Sequence, residues 1–80
     1  MSGDSVTPVQ TLDVKGKACP LPVIKTAGAI KALRAGDVLE VLATDPGIES
    51  DMPAWARQTG NELLGIERLA DGFRVLVRKA

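Results

Sequence analysis

The sequence contains no histidine and no tyrosine, and it has only one cysteine, one tryptophan and one phenylalanine among its 80 residues. A single cysteine cannot form a disulfide within the chain, so packing alone must stabilise the fold. Without histidine, the chain lacks the usual base of a cysteine protease and a common ligand of zinc sites. The absence of a second cysteine argues against a thioredoxin-like redox cycle. We therefore expect neither a metal nor a cofactor.

Long apolar runs are also lacking. No stretch approaches the roughly 18 apolar residues that span a membrane, and the first ten residues lack the basic and apolar stretches of a signal peptide. Because a free thiol suits a reducing compartment, we expect a cytoplasmic protein that does not bind membranes. A net charge of zero and few aromatic residues argue against direct binding of nucleic acid.

Opposite charges are segregated along the chain. Residues 14–34 carry five lysines and arginines and no acidic residue, whereas residues 35–62 carry six acidic residues and one arginine. Two interpretations remain open for the basic segment, which holds the cysteine. Its side chains are either ordinary solvated residues of a helix surface, or they create a positive field around the thiol that also attracts an acidic partner.

The spacing of apolar residues predicts a single domain over residues 9–80 with the element order β-α-β-α-β-β, after a disordered lead-in over residues 1–8. The predicted strands cover 9–14, 37–44, 62–69 and 73–79, and the predicted helices cover about 20–35 and 50–59. Asp71-Gly72 is a hairpin signal between the last two strands. The predicted fold class is α/β (α+β), a two-layer sandwich with two helices packed on one face of a four-stranded mixed sheet.

Several residues within these elements have specific predicted roles. Trp55 is predicted to lie in the core, Gly36 to end the first helix as a left-handed cap, and Gly60 to end the second. Gly28 is either merely tolerated in the first helix or marks a close approach to a strand. The apolar stripe of the first helix is predicted to consist of Val23, Ile24, Ala27, Ile30 and Leu33.

The only cysteine, Cys19, is followed by Pro20, Leu21 and Pro22 at the predicted start of the first helix. Proline is favoured at the first helical position because its φ is preset and its missing N–H would have had no intrahelical acceptor. A second proline in the first turn removes no helical hydrogen bond. We therefore predict that the prolines fix the helix start, with Cys19 as the N-cap. The N–H groups of Leu21 and Val23 would remain free donors.

A thiolate at a helix N-terminus is stabilised by the positive end of the helix dipole, which predicts a pKa for Cys19 below the roughly 8.5 of a free cysteine. Lys15 and Lys17, just upstream, are candidates to stabilise the thiolate further or to dock a partner. A thiolate is the nucleophile in sulfur exchange, so Cys19 is a candidate to hold sulfur as a persulfide. The alternative is a buried cysteine that packs as a small apolar side chain.

Four segments of the chain resemble the TusA/SirA family of small sulfur-carrier proteins: LDVKGKACPLPVIKT, GDVLEVLATDPG, DMPAWARQTGNEL and FRVLVRK. The Cys-Pro-x-Pro (CPxP) motif after Leu-Asp-x-x-Gly is the most specific feature, and the resemblance covers residues 11–79. It implies a TusA-like domain over residues 9–80, a sulfurtransferase in which Cys19 accepts sulfane sulfur as a persulfide and hands it to a partner protein. Implied donors are cysteine desulfurases or rhodanese-like proteins, and implied acceptors are relay proteins with their own active cysteine.

Members of that family serve tRNA thiolation, molybdenum cofactor synthesis or sulfur oxidation. Leu21 stands where tRNA-thiolation members often have glutamate, and Ala56 stands where many relatives carry a second cysteine. The pathway therefore remains open, and Cys19 would be a one-thiol carrier, expected as a monomer. Two alternatives also remain open. One is a non-catalytic interaction module that binds and regulates a partner through the basic patch or through the exposed sheet face, where Leu76 breaks the polar alternation. The other is a redox sensor that dimerises through Cys19.

Overall fold

The computed structural model describes residues 7–18 and 20–80. Its elements follow the predicted order: β1 (Gln10–Asp13), α1 (Leu21–Lys31), β2 (Val38–Ala43), α2 (Ile48–Thr59), β3 (Glu62–Leu69) and β4 (Gly72–Arg78). Residues 1–6 of the predicted lead-in, and Cys19, lie outside the described residues. The α+β fold class with two helices on a four-stranded mixed sheet is confirmed.

The four strands form one sheet in the order β1-β2-β4-β3. β1 pairs with β2 in parallel, as the β-α-β unit predicted, and the other two pairings are antiparallel. Because β1 and β2 run in the same direction, they finish at the same end of the sheet. α1 and α2 therefore both start at this end, where Pro20, Leu21 and Pro22 lie.

The core lies between the sheet and the two helices. The central strand β2 contributes Leu39 and Val41, which are fully buried, and α2 contributes Met52, which is also fully buried. Trp55 is only 8 % exposed, which confirms its predicted place in the core. The nearly continuous apolar sequence of β2 fits this position, since a central strand is covered on both edges and packed by helices on one face.

Four of the five residues of the predicted apolar stripe belong to the core or pack against it: Val23, Ala27, Ile30 and Leu33. Ile24 is 58 % exposed, so its predicted place in the core is wrong, whereas Thr26 is fully buried. The Thr26 hydroxyl donates a hydrogen bond of 2.7 Å to the carbonyl oxygen of Pro22. This local bond satisfies the polar group within the core and allows a threonine to occupy the position. The buried positions Pro22, Thr26 and Ile30 follow one another at a spacing of four.

The end of α1 and the roles of Gly28 and Gly36 differ in part from the prediction or resolve what it left open. α1 ends at Lys31, earlier than predicted, and Gly36 does not cap it. Gly36 does adopt a left-handed conformation (φ 91°), but it lies in a turn where the N–H of Asp37 donates to the carbonyl of Arg34 at 2.9 Å. A Cβ at Gly28 would meet no heavy atom within 4 Å, which favours simple tolerance over a close approach.

α2 begins at Ile48, ahead of the start predicted near residue 50. The carboxylate of Asp45 accepts the N–H of Gly47 at 3.1 Å, so the Asp-Pro-Gly turn leads directly into the helix. Pro53 lies inside α2, where it leaves one carbonyl of the preceding turn without its helical donor. Gly60 ends the helix in a left-handed conformation (φ 79°), as predicted.

The sheet face opposite the helices carries a polar ladder that crosses all four strands. The hydroxyl of Thr11 on β1 donates to Glu40 on β2 at 2.7 Å, and Arg74 on β4 binds the other carboxylate oxygen of Glu40. Arg74 also reaches Glu67 on β3 at 3.4 Å. Leu76, the residue that breaks the polar alternation of β4, is half-buried on this face. The ladder charges are thus paired within the chain.

The pKa of Glu40 is held below its ordinary value of 4.5, first by the hydrogen bond from Thr11 and then by that from Arg74, while burial opposes the shift. A carboxylate with a depressed pKa stabilises the fold above its unfolded pKa, and this stabilisation disappears as the pH falls through the folded pKa. We therefore expect Glu40→Gln to flatten the fall in unfolding free energy below pH 4.5, as measured by urea denaturation. Thr11→Val should flatten it in part. An unchanged pH slope in Glu40→Gln would contradict the ladder's role.

Candidate functional site

The loop on the N-terminal side of Cys19 is held to the sheet by its backbone. Its residues Lys15, Gly16, Lys17 and Ala18 are all exposed, yet three of their N–H groups have partners within the described residues. These bonds join Lys15 to the Asp13 carboxylate (2.9 Å), Gly16 to the Thr44 hydroxyl (2.9 Å) and Lys17 to the Val14 carbonyl (3.1 Å). The loop therefore leads to the motif along a defined path that is anchored on both β1 and the end of β2.

The helix start on the C-terminal side of Cys19 differs from the prediction by one residue. Pro20, with φ −98° and ψ 14°, is the N-cap, Leu21 is the first helical residue, and Pro22 lies in the first turn. The carbonyl of Pro20 already accepts the N–H of Ile24 at 3.1 Å, as an N-cap carbonyl does. Cys19 thus immediately precedes the N-cap, and its predicted role as the N-cap is wrong. The two prolines still fix where the helix begins.

The free donors at the helix start are fewer than predicted. The N–H of Leu21 donates to the carbonyl of Ala18 at 2.9 Å, so it is not free. Pro22 has no N–H, and the N–H of Val23 has no acceptor among residues 7–18 and 20–80. Of the two predicted donors, only the N–H of Val23 therefore adds to the positive end of the α1 dipole next to the motif.

The basic residues that surround the motif in sequence all lie on the surface. Lys15, Lys17, Lys25, Lys31 and Arg34 are exposed. In the part of the chain that the structure describes, the ion pairs belong to arginines of β3 and β4, and none involves these five cations. Exposure without ion-pair partners fits both interpretations of the basic segment, solvated surface residues and a positive field around the motif.

A cavity that sequence reasoning missed lies beside the motif, between the two helices. Its volume is about 220 Å³, and Pro20 and Val23 form its α1 side. The α2 side is formed by residues at spacings of three and four, which share one face of the helix: Asp51, Ala54, Trp55 and Gln58. That spacing was visible in the sequence, but only the structure shows that this face meets the start of α1. A larger cavity, of about 450 Å³, lies elsewhere, at the β3–β4 hairpin.

Among residues 7–18 and 20–80, no three side chains of the metal-binding types are grouped closely enough to hold an ion. In the same described segments, neither helix combines the length and the apolar character needed to cross a membrane.

Comparison with known proteins identifies close relatives over nearly the whole chain. Residues 10–79 match the family model described as Sulfurtransferase TusA. A putative sulfur carrier protein of Halobacterium salinarum is 52 % identical over 71 residues, which cover 88 % of each chain. The sulfur carrier protein TusA of Allochromatium vinosum is 42 % identical over 71 residues, which cover 89 % of this chain and 93 % of that protein.

Two other matches concern the share of a longer relative that the chain spans and the fold. The putative sulfur carrier protein YrkF of Bacillus subtilis is 50 % identical over 68 residues, but the match covers 85 % of this chain and only 37 % of YrkF. The chain thus spans little more than a third of that relative. The crystal structure of a SirA-like protein from Desulfitobacterium hafniense has the same fold, with a TM-score of 0.73 at 25 % identity. That match covers 89 % of this chain and 96 % of the SirA-like chain.

Proposed function

The chain belongs to the sulfurtransferase TusA family, as its motifs predicted, and on this premise we propose that it carries sulfane sulfur as a persulfide on Cys19. Family membership establishes a general role in sulfur transfer. The observation that carries the more specific proposal is the position of the only thiol. Cys19 directly precedes a helix start fixed by Pro20 and Pro22, at the end of a basic loop.

The proposed chemistry consists of two thiolate exchanges. In loading, the Cys19 thiolate attacks the outer sulfur of a donor persulfide, the donor S–S bond breaks, and the donor leaves as a thiolate. In transfer, an acceptor thiolate attacks the outer sulfur of the Cys19 persulfide, and the Cys19 thiolate leaves. Neither exchange requires an external oxidant or reductant, and a chain without histidine can perform both provided that its thiol ionises readily.

The surroundings of the motif support a readily ionised thiol. Lys15 and Lys17 are exposed and have no ion-pair partner among the described residues, so we assign to them the stabilisation of the thiolate or the docking of an acidic partner. The N–H of Val23, which has no acceptor among the described residues, adds to the positive end of the helix dipole, although Cys19 is one residue farther from the helix than predicted. Leu21, 44 % exposed between the prolines, is available to contact a partner.

A carrier with one thiol must meet two proteins in turn. As a member of a sulfur carrier family, the chain interacts with a donor and an acceptor of sulfur. We propose a rhodanese-like protein or a cysteine desulfurase as the donor, and a relay protein with its own active cysteine as the acceptor. The exposed basic charge of residues 14–34 is suited to partners with acidic surfaces.

Intact-mass spectrometry tests the proposal. After incubation with inorganic polysulfide, the wild-type chain should gain about 32 Da, the mass of one sulfur atom, and cyanide should remove it as thiocyanate. Cys19→Ser should gain nothing, since it leaves the chain without a thiol. An absence of the adduct on wild type, or its presence on Cys19→Ser, would overturn the proposal. The redox-sensor alternative instead predicts a reducible covalent dimer, and the interaction-module alternative predicts that partner binding survives Cys19→Ser.

A further inference from the structure

The groove between α1 and α2 continues well beyond the motif. The cavity beside Pro20 and a second cavity of about 320 Å³ share Trp55 as a wall, so the two lie in line along the helices. The second cavity is lined on the α1 side by Ala27 and ends at Lys31 and Lys79. We treat these two adjoining cavities, which follow one another along α1 from Pro20 to Lys31, as one groove.

The length of the groove suits a short extended peptide. Pro20 and Lys31 mark its two ends on α1, and at 1.5 Å per residue the helix advances about 16 Å between them. An extended chain, at about 3.3 Å per residue, covers this distance with about five residues. A segment of that length would place one side chain against Trp55, midway along the groove.

The far end of the groove is positively charged. Lys31 and Lys79 lie there, and neither forms an ion pair among the described residues. Even with a carboxylate counted at Ala80, which also lines this end, its net charge stays positive. An occupant with a carboxylate at the far end is therefore favoured over one without it.

From this geometry we infer that the groove binds the cysteine-bearing segment of the sulfur acceptor as an extended chain. Its thiol lies at the Pro20 end, an apolar side chain packs against Trp55, and a carboxylate about five residues away lies near Lys31 and Lys79. This inference rests on the proposed function, because the acceptor thiolate must reach the outer sulfur of the Cys19 persulfide. That exchange breaks the S–S bond on Cys19 and forms a new one on the acceptor.

Synthetic peptides with blocked termini test the groove directly. The matched acceptor is Cys-Ala-Leu-Ala-Ala-Glu, and its control of identical composition, Cys-Glu-Ala-Leu-Ala-Ala, carries the glutamate next to the cysteine. Both are also made in reverse order, since the geometry leaves the chain direction free. The carrier is first loaded with polysulfide, and transfer to each peptide is followed by mass spectrometry at low salt. In at least one direction, the matched peptide should accept sulfur about fivefold faster than its control, the effect expected of exposed charge pairs.

Charge reversal at the far end of the groove provides a second test of peptide binding. Lys31→Glu should abolish the preference, and a peptide with lysine in place of glutamate should then be the better acceptor. Lys25→Glu is the matched control, because Lys25 is an exposed lysine on α1 that does not line the groove, and it should leave the preference intact. Equal rates for matched and control peptides in both directions, or an unchanged preference in Lys31→Glu, would overturn the inference.

These experiments distinguish the loading of sulfur on Cys19 from the binding of a peptide in the groove. Polysulfide is small and loads Cys19 without occupying the groove, so wild type, Lys31→Glu and Lys25→Glu should load equally. A wild-type chain that fails to load contradicts the proposed function itself. Normal loading without any peptide preference overturns the groove alone.

Discussion

Ile30→Ala is expected to lower the free energy of unfolding by about 2–5 kcal/mol, whereas Ile24→Ala should cost less than about 1 kcal/mol. The two residues are of the same type on the same helix, but Ile30 is 5 % exposed and Ile24 is 58 % exposed. Only the first substitution leaves a cavity in the core. Urea denaturation followed by the fluorescence of Trp55, the only tryptophan, measures both variants.

The size of this loss matters for so small a domain. A chain of 80 residues is typically stable by about 4–12 kcal/mol, so Ile30→Ala removes a large part of the total. Equal losses in the two variants would mean that α1 is rotated relative to the described packing. A larger loss in Ile24→Ala would instead support the place of Ile24 in the core that the sequence predicted.

Gly72→Ala is expected to destabilise the fold by several kcal/mol, because it combines backbone strain with a steric clash. Gly72 has φ 149°, which side chains rarely adopt, and an added Cβ would collide with the backbone carbonyl oxygen of Ala43. A carbonyl in the neighbouring strand cannot move aside without disturbing the pairing of Ala43 with Phe73. A broadened transition or an unfolded chain at room temperature is the expected result.

Gly28→Ala is the matched control, since it makes the same substitution where the structure leaves space. No heavy atom lies within 4 Å of a Cβ at Gly28, which lies inside α1. Alanine is a better helix former than glycine by about 1 kcal/mol, so this variant should be slightly more stable than wild type. If Gly72→Ala were as stable as Gly28→Ala, the close approach of the hairpin to β2 would be wrong.

The element order and the sheet could be predicted from local patterns in the sequence. The apolar run of β2, the alternation of β4 and the Asp71-Gly72 signal each predict a strand or a turn from a few residues. The first residue of α1 is harder to predict. The backbone angles of Pro20 make it the N-cap, and the sequence does not reveal these angles. Most of the predicted apolar stripe of α1 does pack on the core, but the burial of Thr26 could not be predicted from the sequence. The hydroxyl of Thr26 is compatible with the core only because Pro22 supplies its acceptor.

The candidate site could be predicted in part, because its motif is local in sequence whereas its groove is not. The order of Cys19, Pro20, Leu21 and Pro22 is a property of the sequence, and so is the family resemblance that it carries. The groove along α1 and α2 is not, because it exists only where two helices distant in sequence approach each other. The ladder through Glu40 likewise depends on the strand order, which places Thr11 and Arg74 on either side of it.

Transfer of labelled sulfur measures directly whether Cys19 accepts sulfane sulfur and passes it to an acceptor thiol. Thiosulfate labelled with ³⁵S in its sulfane position, together with a purified rhodanese, loads the carrier, which is then isolated and given a thiol acceptor peptide. We expect each wild-type chain to bind about one labelled sulfur and to transfer it to the peptide. Cys19→Ser should bind no label. Label bound equally by Cys19→Ser, label that no thiol removes from wild type, or no label on wild type would contradict this role of Cys19.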